Sequence, residues 1–219
     1  ASLKTIQRVK VDSSPNQQLV KVGEMTIEIQ PTPENVISAS QKAADYLYGM
    51  ALTQNQFVGW FGLQPIGQDY LNVEPVGNDL YNGLAGITLY LAYFGWYTKQ
   101  EKYTLLARRT LASVWRSFQK SKTLTFENLG AFEGAGSMIY LLTHLGVLWN
   151  EKKLHQKALR IVHRVPRTIA KDKVFDIIAG SSGCIAALLA FHAVTGKQVA
   201  LDVARKFGEH LLANATKTE

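Results

Sequence analysis

The stretch Asp79-Leu80-Tyr81-Asn82-Gly83-Leu84-Ala85-Gly86-Ile87 joins a glycine-rich turn to the beginning of an apolar segment. The same combination recurs at Gly130-Ala131-Phe132-Glu133-Gly134-Ala135-Gly136-Ser137-Met138 and at Asp176-Ile177-Ile178-Ala179-Gly180-Ser181-Ser182-Gly183-Cys184. The lead glycines Gly83, Gly134 and Gly180 are 51 and then 46 residues apart. A period of this size indicates a fold that repeats one supersecondary unit.

Each glycine turn is followed by a pair of predicted helices. The first helix of each pair is apolar nearly all round, over residues 84–96, 135–149 and 181–194. The second is amphipathic, with apolar residues at spacings of three and four, over about residues 101–119, 151–165 and 198–213. We therefore predict an all-α fold in two layers, with the apolar helices inside and the amphipathic helices outside. This is an α/α barrel or an arc of one.

The glycines are predicted to shape the turns, because glycine lets backbones approach closely and takes dihedral angles that other residues resist. The predicted structural turn residues are two from each copy: Gly83, Gly86, Gly134, Gly136, Gly180 and Gly183. We expect all three turns at the same end of the barrel. The first N–H groups of a helix lack intrahelical partners, so the turns are expected to present a ring of donors with partial positive charge.

The segment before the repeats has a different pattern. Residues 1–30 alternate polar and apolar side chains around a turn-forming stretch, which predicts a β-hairpin and an N-terminal extension or junction before a body at 31–219. Thr32 and Pro33 are suited to begin a helix that runs to about Leu52. Residues 53–80 are predicted as a long, ordered connection, in which Trp60 either packs or covers a peptide groove. We favour packing.

The composition is that of a soluble globular protein, with 47% hydrophobic and 19% charged residues among 219. No apolar run approaches the roughly 20 residues that span a bilayer, and no signal peptide is recognisable. We therefore expect a cytoplasmic protein without a membrane span. The single cysteine, Cys184, excludes an internal disulfide and leaves a cysteine-based zinc site short of ligands. Because the chain begins with Ala1, we expect a fragment or a processed product.

The net charge of +7 is concentrated in residues 151–173. This stretch holds eight lysines and arginines, against Glu151 and Asp172. A basic face attracts nucleic acid or an acidic peptide, although a solvated outer helix explains the pattern equally simply and is our interpretation. No aromatic residue interleaves the basic ones, so we predict no nucleic-acid partner.

At its three glycine turns, and at Trp60-Phe61-Gly62-Leu63, the chain resembles the lanthionine synthetase C-like family. The closer resemblance is to the cyclase half of the two-function class II lanthipeptide synthetases, and it covers about residues 35–213. It implies a toroid of seven helical hairpins around a zinc ion. In such enzymes the zinc activates a peptide cysteine thiol, which adds to dehydroalanine or dehydrobutyrine and closes a thioether ring.

The resemblance also implies what this sequence lacks. Only three of the seven hairpins are present, and the later motifs that supply the zinc ligands are missing. The segment alone is therefore expected to be inactive and free of zinc, with the C-terminal half of the cyclase and a precursor peptide as its partners. The implied setting is bacterial biosynthesis of a lanthipeptide antibiotic. Ser137 stands where the family usually has the last glycine of its second motif.

Asp176 is the candidate catalytic residue, because it stands where the family has an active-site aspartate. From the residues alone, we favour a carboxylate that only caps a helix, and the resemblance shifts the preference to an active-site role. Asp79 and Glu133 hold similar places in the other turns and are predicted to be structural. Cys184 is predicted to lie in the core. The histidines have no metal-binding spacing and are interpreted as structural or exposed: His144, His155, His163, His192 and His210.

Two other functions remain open from the sequence. The first alternative to the cyclase is a zinc-free helical module that binds a peptide or a protein. The second is another α/α-barrel enzyme, such as a glycosidase with Glu133 and Asp176 as its acid/base pair. The lack of aromatic sugar platforms near the turns argues against the glycosidase. An arc of three hairpins would also leave apolar flanks uncovered, so we expect the isolated chain to form a homo-oligomer.

Overall fold

The computed structural model describes residues 9–10, 32–66, 70–120 and 128–215. These residues fold as two compact units, one made of Ala1–Leu52 with Gly59–Val76 and the other of Thr53–Val58 with Gly77–Glu219. The predicted hairpin within residues 1–30 lies outside the described residues, apart from Val9–Lys10. The predicted boundary between residues 30 and 31 also lies there and stays a prediction.

In the first unit, helix α1 spans Pro33–Gly49 and begins as the sequence predicts. The Thr32 hydroxyl accepts a hydrogen bond from the Asn35 N–H at 3.3 Å, and Pro33 occupies the first turn, where its missing N–H costs nothing. Trp60 is only 5% exposed and donates its Nε1–H to the carbonyl of Leu47, 2.9 Å away. The prediction that Trp60 packs is therefore confirmed.

The prediction of a plain connection over residues 53–80 is wrong, because most of this segment forms strands. Strands β2 (Leu52–Gln54) and β3 (Phe57–Gly59) form a two-stranded ribbon. A second sheet has the order β1-β5-β4 and contains β1 (Val9–Lys10), β4 (Phe61–Ile66) and β5 (Tyr70–Pro75). Both of its pairings are antiparallel, with Val9 opposite Leu71 and Leu63 opposite Val73.

In the second unit, three helical hairpins follow one another as predicted. The apolar helices are α2 (Leu84–Thr98), α4 (Ala135–Leu148) and α6 (Ser181–Thr195). The amphipathic helices are α3 (Glu101–Lys120), α5 (Lys152–Val162) and α7 (Gln198–Asn214), and short 3-10 turns at Val165–Arg167 and Ile169–Lys171 follow α5. Each apolar helix packs on its amphipathic partner, α4 packs between α2 and α6, and α5 contacts α7. This is the predicted two-layer arrangement, and closure into a toroid stays a prediction.

The apolar helices are not buried on every side, although helices that are apolar nearly all round are expected to be. Leu91, Ile139 and Leu188 are fully buried between the layers. By contrast, Trp96 of α2 and Leu189 of α6 are about half exposed. Because α2 and α6 are the outermost members of the row α2-α4-α6, one side of each has no neighbouring apolar helix among the described residues. The burial among the described helices therefore does not account for every apolar side chain of α2 and α6.

None of the helices in the described residues has both the length and the hydropathy required to cross a bilayer.

Candidate functional site

The three glycine turns lie side by side at one end of the second unit. Leu80 in the first turn donates its N–H to the carbonyl of Phe132 in the second, at 2.9 Å. The second and third turns share five backbone hydrogen bonds, from the N–H groups of residues 129–133 to the carbonyls of residues 177–179. The prediction that the turns share one end is therefore confirmed, and backbone bonding holds them together as one cluster.

Close contact between these backbones explains the glycines. A Cβ atom on Gly130 would lie 2.0 Å from the Ile178 carbonyl oxygen, and one on Gly183 would lie 1.9 Å from the Ile177 oxygen. Gly134 has a φ of +96°, which side chains disfavour. Ser137 fits in place of a glycine, because its hydroxyl donates to the Gly134 carbonyl at 2.8 Å. Larger residues at these glycines would force the turns apart.

The expected ring of free backbone donors is not present at the helix starts. In the first turn of each apolar helix, N–H groups are bonded to carbonyls of the preceding glycine turn, as in Leu84 to Gly77 (2.8 Å), Ala135 to Asn128 (3.2 Å) and Gly183 to Asp176 (3.2 Å). The tight path of each turn folds its carbonyls back over the helix end and satisfies these donors. Charge chemistry at this end of the unit must therefore come from side chains.

Asp176 is exposed within the third turn, and its Oδ1 atom closes that turn. Oδ1 accepts hydrogen bonds from the N–H groups of Ala179 at 2.7 Å and Gly180 at 3.0 Å. Asp79 does the same in the first turn, where its Oδ1 accepts from Asn82 at 3.0 Å. In the part of the chain that the structure describes, no donor contacts Oδ2 of Asp176. The capping role is therefore visible, and one carboxylate oxygen remains for a catalytic role, which stays a prediction.

Glu133 is held within its own turn, where its Oε2 accepts a hydrogen bond from Nδ2 of Asn128 at 3.1 Å. Its role in the described structure is the structural one that the sequence predicts.

Asp172 is a buried carboxylate that the sequence reasoning missed. It is 7% exposed, and its Oδ2 accepts hydrogen bonds from the N–H (2.9 Å) and the hydroxyl of Ser181, at the start of α6. Its Oδ1 accepts from Val174 at 3.2 Å. This aspartate caps α6 from nine positions before Ser181, so no local capping pattern could have revealed it.

Cys184 lies in the core, as predicted, with no exposed surface. Burial raises the pKa of its thiol, and the negative charge of Asp172 raises it further. The sulfur is therefore a neutral thiol at physiological pH, which suits packing and not nucleophilic chemistry.

A pocket of about 470 Å³ opens between α2 and α4, below the first two turns. Its walls are apolar and aromatic: Leu80, Gly86, Leu89, Tyr90, Tyr93, Ala131, Phe132 and Tyr140. It is connected to the candidate aspartate through the backbone, since the N–H of Ala131 donates to Ile177, the residue after Asp176. An apolar cleft with a few polar groups at its edge is the usual form of a ligand site.

The polar group behind this pocket is a tyrosine–histidine pair. The Tyr93 hydroxyl lies 2.6 Å from Nδ1 of His144, and the Tyr140 ring packs on the imidazole at 4.1 Å between centroids. Burial lowers the pKa of His144, while burial and the neighbouring Tyr140 raise the pKa of Tyr93. Both groups are therefore neutral, and one hydrogen bond joins the tyrosine hydroxyl and Nδ1.

The repeat contained a signal for this pair that the sequence reasoning did not use. Tyr93 and His144 each stand ten residues after a lead glycine, Gly83 or Gly134, so equivalent positions on adjacent helices face each other.

The zinc that the resemblance implies does not fit the described residues. Within residues 9–10, 32–66, 70–120 and 128–215, no three or more His, Cys, Asp or Glu side chains gather as a metal site. His155, His192 and His210 instead contact the carbonyls of Thr143, Lys197 and Asp172 at 3.2 to 3.3 Å. That the isolated chain lacks zinc stays a prediction.

Comparison with known proteins gives one family. A sequence model of the family described as lanthionine synthetase C-like protein matches residues 74–219. The matched region includes all three glycine turns and helices α2 to α7. No curated protein sequence gives a significant match.

Proposed function

Since this chain belongs to the lanthionine synthetase C-like family, which is associated with cyclase enzymes, we propose that it is part of an enzyme that closes thioether rings in a peptide. The substrate is a dehydrated precursor peptide that carries cysteine. The enzyme is a class II synthetase, whose zinc ligands lie in later repeats outside this sequence. The segment alone is inactive.

Ring closure requires two proton transfers, one from the cysteine thiol and one to the α-carbon of the dehydro residue. The cysteine sulfur forms a bond to the β-carbon of the dehydro residue, and the electron pair of the double bond moves to give an enolate. A proton must leave the thiol, and a proton must reach the α-carbon. The mass of the peptide does not change. A positioned carboxylate or imidazole meets demands of this kind.

The observation that carries the proposal is the place of Asp176 in the matched region. Its carboxylate is exposed on the cluster of three turns, with Oδ2 uncommitted among the described residues, and its neighbour Ile177 is bonded to the wall of the aromatic pocket. We assign proton transfer to Asp176 and the seating of an apolar part of the peptide to the pocket. The other carboxylates of the turns, on Asp79 and Glu133, serve to hold backbone or side-chain partners.

Three features of the described residues favour the second candidate, a zinc-free module that binds a peptide or a protein. The described residues contain an apolar pocket, satisfied helix donors and no metal cluster, which together are sufficient for binding without chemistry. No observation favours the glycosidase.

The test follows thiols on a dehydrated peptide that contains cysteine. The chain alone and the longer polypeptide with the later repeats are each incubated with the peptide, and free thiols are counted by alkylation and mass spectrometry. We expect thiols to disappear, at constant peptide mass, only with the longer polypeptide. Binding of the peptide by the longer polypeptide without any loss of thiols would instead establish the binding module.

A further inference from the structure

A continuous groove runs along the outer helices α3 and α5. It consists of two depressions of about 410 and 200 Å³ that share Trp115 and Gln119. The wider depression reaches Glu151 at the start of α5, and the narrower one reaches Arg164 just after it. The groove lies on the opposite layer from the aromatic pocket, so it is a separate feature of the second unit.

Cations and aromatic rings line this groove together. The Lys157 ammonium lies 4.5 Å from the centre of the Trp115 ring, and the Arg108 guanidinium lies 4.2 Å from that of Trp149. No aromatic residue interleaves the basic residues along the sequence, as noted above. In the folded chain, however, aromatic rings lie next to them. Helix α3 places Trp115 beside the basic residues of α5, so the groove is lined by aromatic rings as well as by cations.

The charge of the groove is strongly unbalanced. Glu151 is the one carboxylate among the described residues of its lining, and it is already ion-paired with Arg108. Glu151 also attracts Lys157 at longer range. Within the part of the chain that the structure describes, no carboxylate forms an ion pair with the other cations of the lining: Arg116, Lys157, Arg160 and Arg164. An occupant that supplies several carboxylates would complement them, and guanidinium groups suit carboxylates because they donate two parallel hydrogen bonds.

The rings argue against single-stranded nucleic acid, which requires free aromatic faces on which bases can stack. The Trp115 ring is stacked with Phe118 at 5.3 Å and lies under Lys157, while Arg108 covers Trp149. These faces are already in use. The indole Nε1–H of Trp149 is buried and has no acceptor among the described residues.

We infer that this groove binds an acidic segment of a peptide, and that the segment belongs to the substrate of the cyclase. The second part of the inference rests on the proposed function. Helix α3 returns antiparallel to α2, so the groove runs from the end opposite the glycine turns towards the turn end, where α3 finishes. A peptide held along it would keep its remaining residues near the candidate active site.

Binding is tested by fluorescence anisotropy with three labelled probes on this chain. The probes are a short peptide rich in glutamate, the same peptide with glutamine for glutamate, and single-stranded oligo-dT. We expect the acidic peptide to bind most tightly. The double variant Arg160→Gln, Arg164→Gln should weaken it about tenfold, equal to about 1.4 kcal/mol for two exposed ion pairs.

The matched control is Lys152→Gln, Lys153→Gln, which removes the same charge from exposed positions of α5 outside the groove lining. We expect it to change affinity by less than about twofold, since distant surface charges are screened by salt. Equal losses in the two double variants would show attraction by net charge alone and overturn the groove. Tighter binding of oligo-dT, or of the glutamine peptide, would also overturn it.

The source of the acidic segment is tested separately with the longer polypeptide. A dehydrated cysteine peptide is compared with and without an attached acidic segment. We expect the attached segment to speed thiol loss at low peptide concentration, and the two arginine substitutions to abolish that gain. If the rate of thiol loss were the same with and without the acidic segment, the substrate would be refuted as the source of the segment. The proposed ring closure would still stand. Absence of thiol loss from both peptides would refute the proposed function, with groove binding still measured by anisotropy.

Discussion

Gly183→Ala is the substitution that most directly challenges the joined glycine turns. Gly183 lies in the first turn of α6, where its backbone touches both the third and the second glycine turns. A Cβ atom there would lie 1.9 Å from the Ile177 carbonyl oxygen and 2.3 Å from the Ala131 nitrogen. Both neighbours are backbone atoms that cannot rotate away, and Ala131 donates its N–H to Ile177 at 3.0 Å. The added methyl group therefore forces apart the backbones of the second and third glycine turns, which are hydrogen-bonded to each other.

The cost follows from two opposing terms. Overpacking in a close-packed site costs about 1–3 kcal/mol, and two backbone overlaps place this substitution at the upper end. Alanine recovers about 1 kcal/mol, because it favours a helix over glycine. We therefore expect a net loss of about 2 kcal/mol, which lowers the melting temperature by about 4–8 °C in a domain of this size.

The assay combines urea unfolding with hydrogen exchange of the turn amides. We expect the amides of residues 129–133 to exchange faster in the variant, since their bonds to the third turn are strained. The control is Gly208→Ala in α7, where an added Cβ meets nothing within 4 Å, so we expect it to stabilise by about 0.5–1 kcal/mol. If Gly183→Ala and Gly208→Ala changed stability alike, with unchanged exchange at residues 129–133, the reasoning about the joined turns would be refuted.

Three further predictions concern the isolated chain. It should purify without stoichiometric zinc, and metal analysis that finds about one tightly held zinc per chain would contradict this. Exposed apolar side chains on α2 and α6, such as Trp96 and Leu189, should drive oligomerisation, which light scattering would show and Leu189→Glu should reduce. Because burial lowers the pKa of His144, the folded state binds its proton less readily than the unfolded state. Stability should therefore fall as the pH drops through about 6.5, and urea midpoints at pH above and below that value should differ less in His144→Gln.

The helical part of the fold could be predicted because each repeat gives several independent signals. At Gly83, Gly134 and Gly180 a glycine turn precedes an apolar run, and an amphipathic run follows. The predicted helices match the observed ones to within a few residues, except that α5 ends at Val162 and continues as 3-10 turns. The strands over residues 52–75 were missed because they are only three to six residues long, too short for alternation to stand out.

The chemistry of the site could be predicted less well, because it depends on partners far apart in sequence. The carboxylate of Asp172 caps Ser181 across nine residues, and Tyr93 meets His144 across 51. Local patterns contain no trace of the first, and only alignment of the repeats reveals the second. The helix donors at the turns were expected to be free, because sequence does not show that a turn's own carbonyls fold back onto them.

The role of Asp176 is the central claim, and Asp176→Asn in the longer polypeptide tests it. Asparagine retains an Oδ1 acceptor for the N–H groups of Ala179 and Gly180, so the turn should fold normally. The negative charge that accepts a proton is lost. The matched control is Asp79→Asn, which makes the same change in the first turn, where Oδ1 accepts from Asn82.

The direct measurement is the rate at which free thiols disappear from a dehydrated cysteine peptide, with the two variants compared at equal zinc content. We predict that Asp176→Asn slows ring closure by about 10²–10⁴-fold, the usual worth of a positioned acid or base, while Asp79→Asn leaves it nearly unchanged. Equal rates for the wild type and Asp176→Asn would contradict the account and leave Asp176 as a residue that only closes its turn.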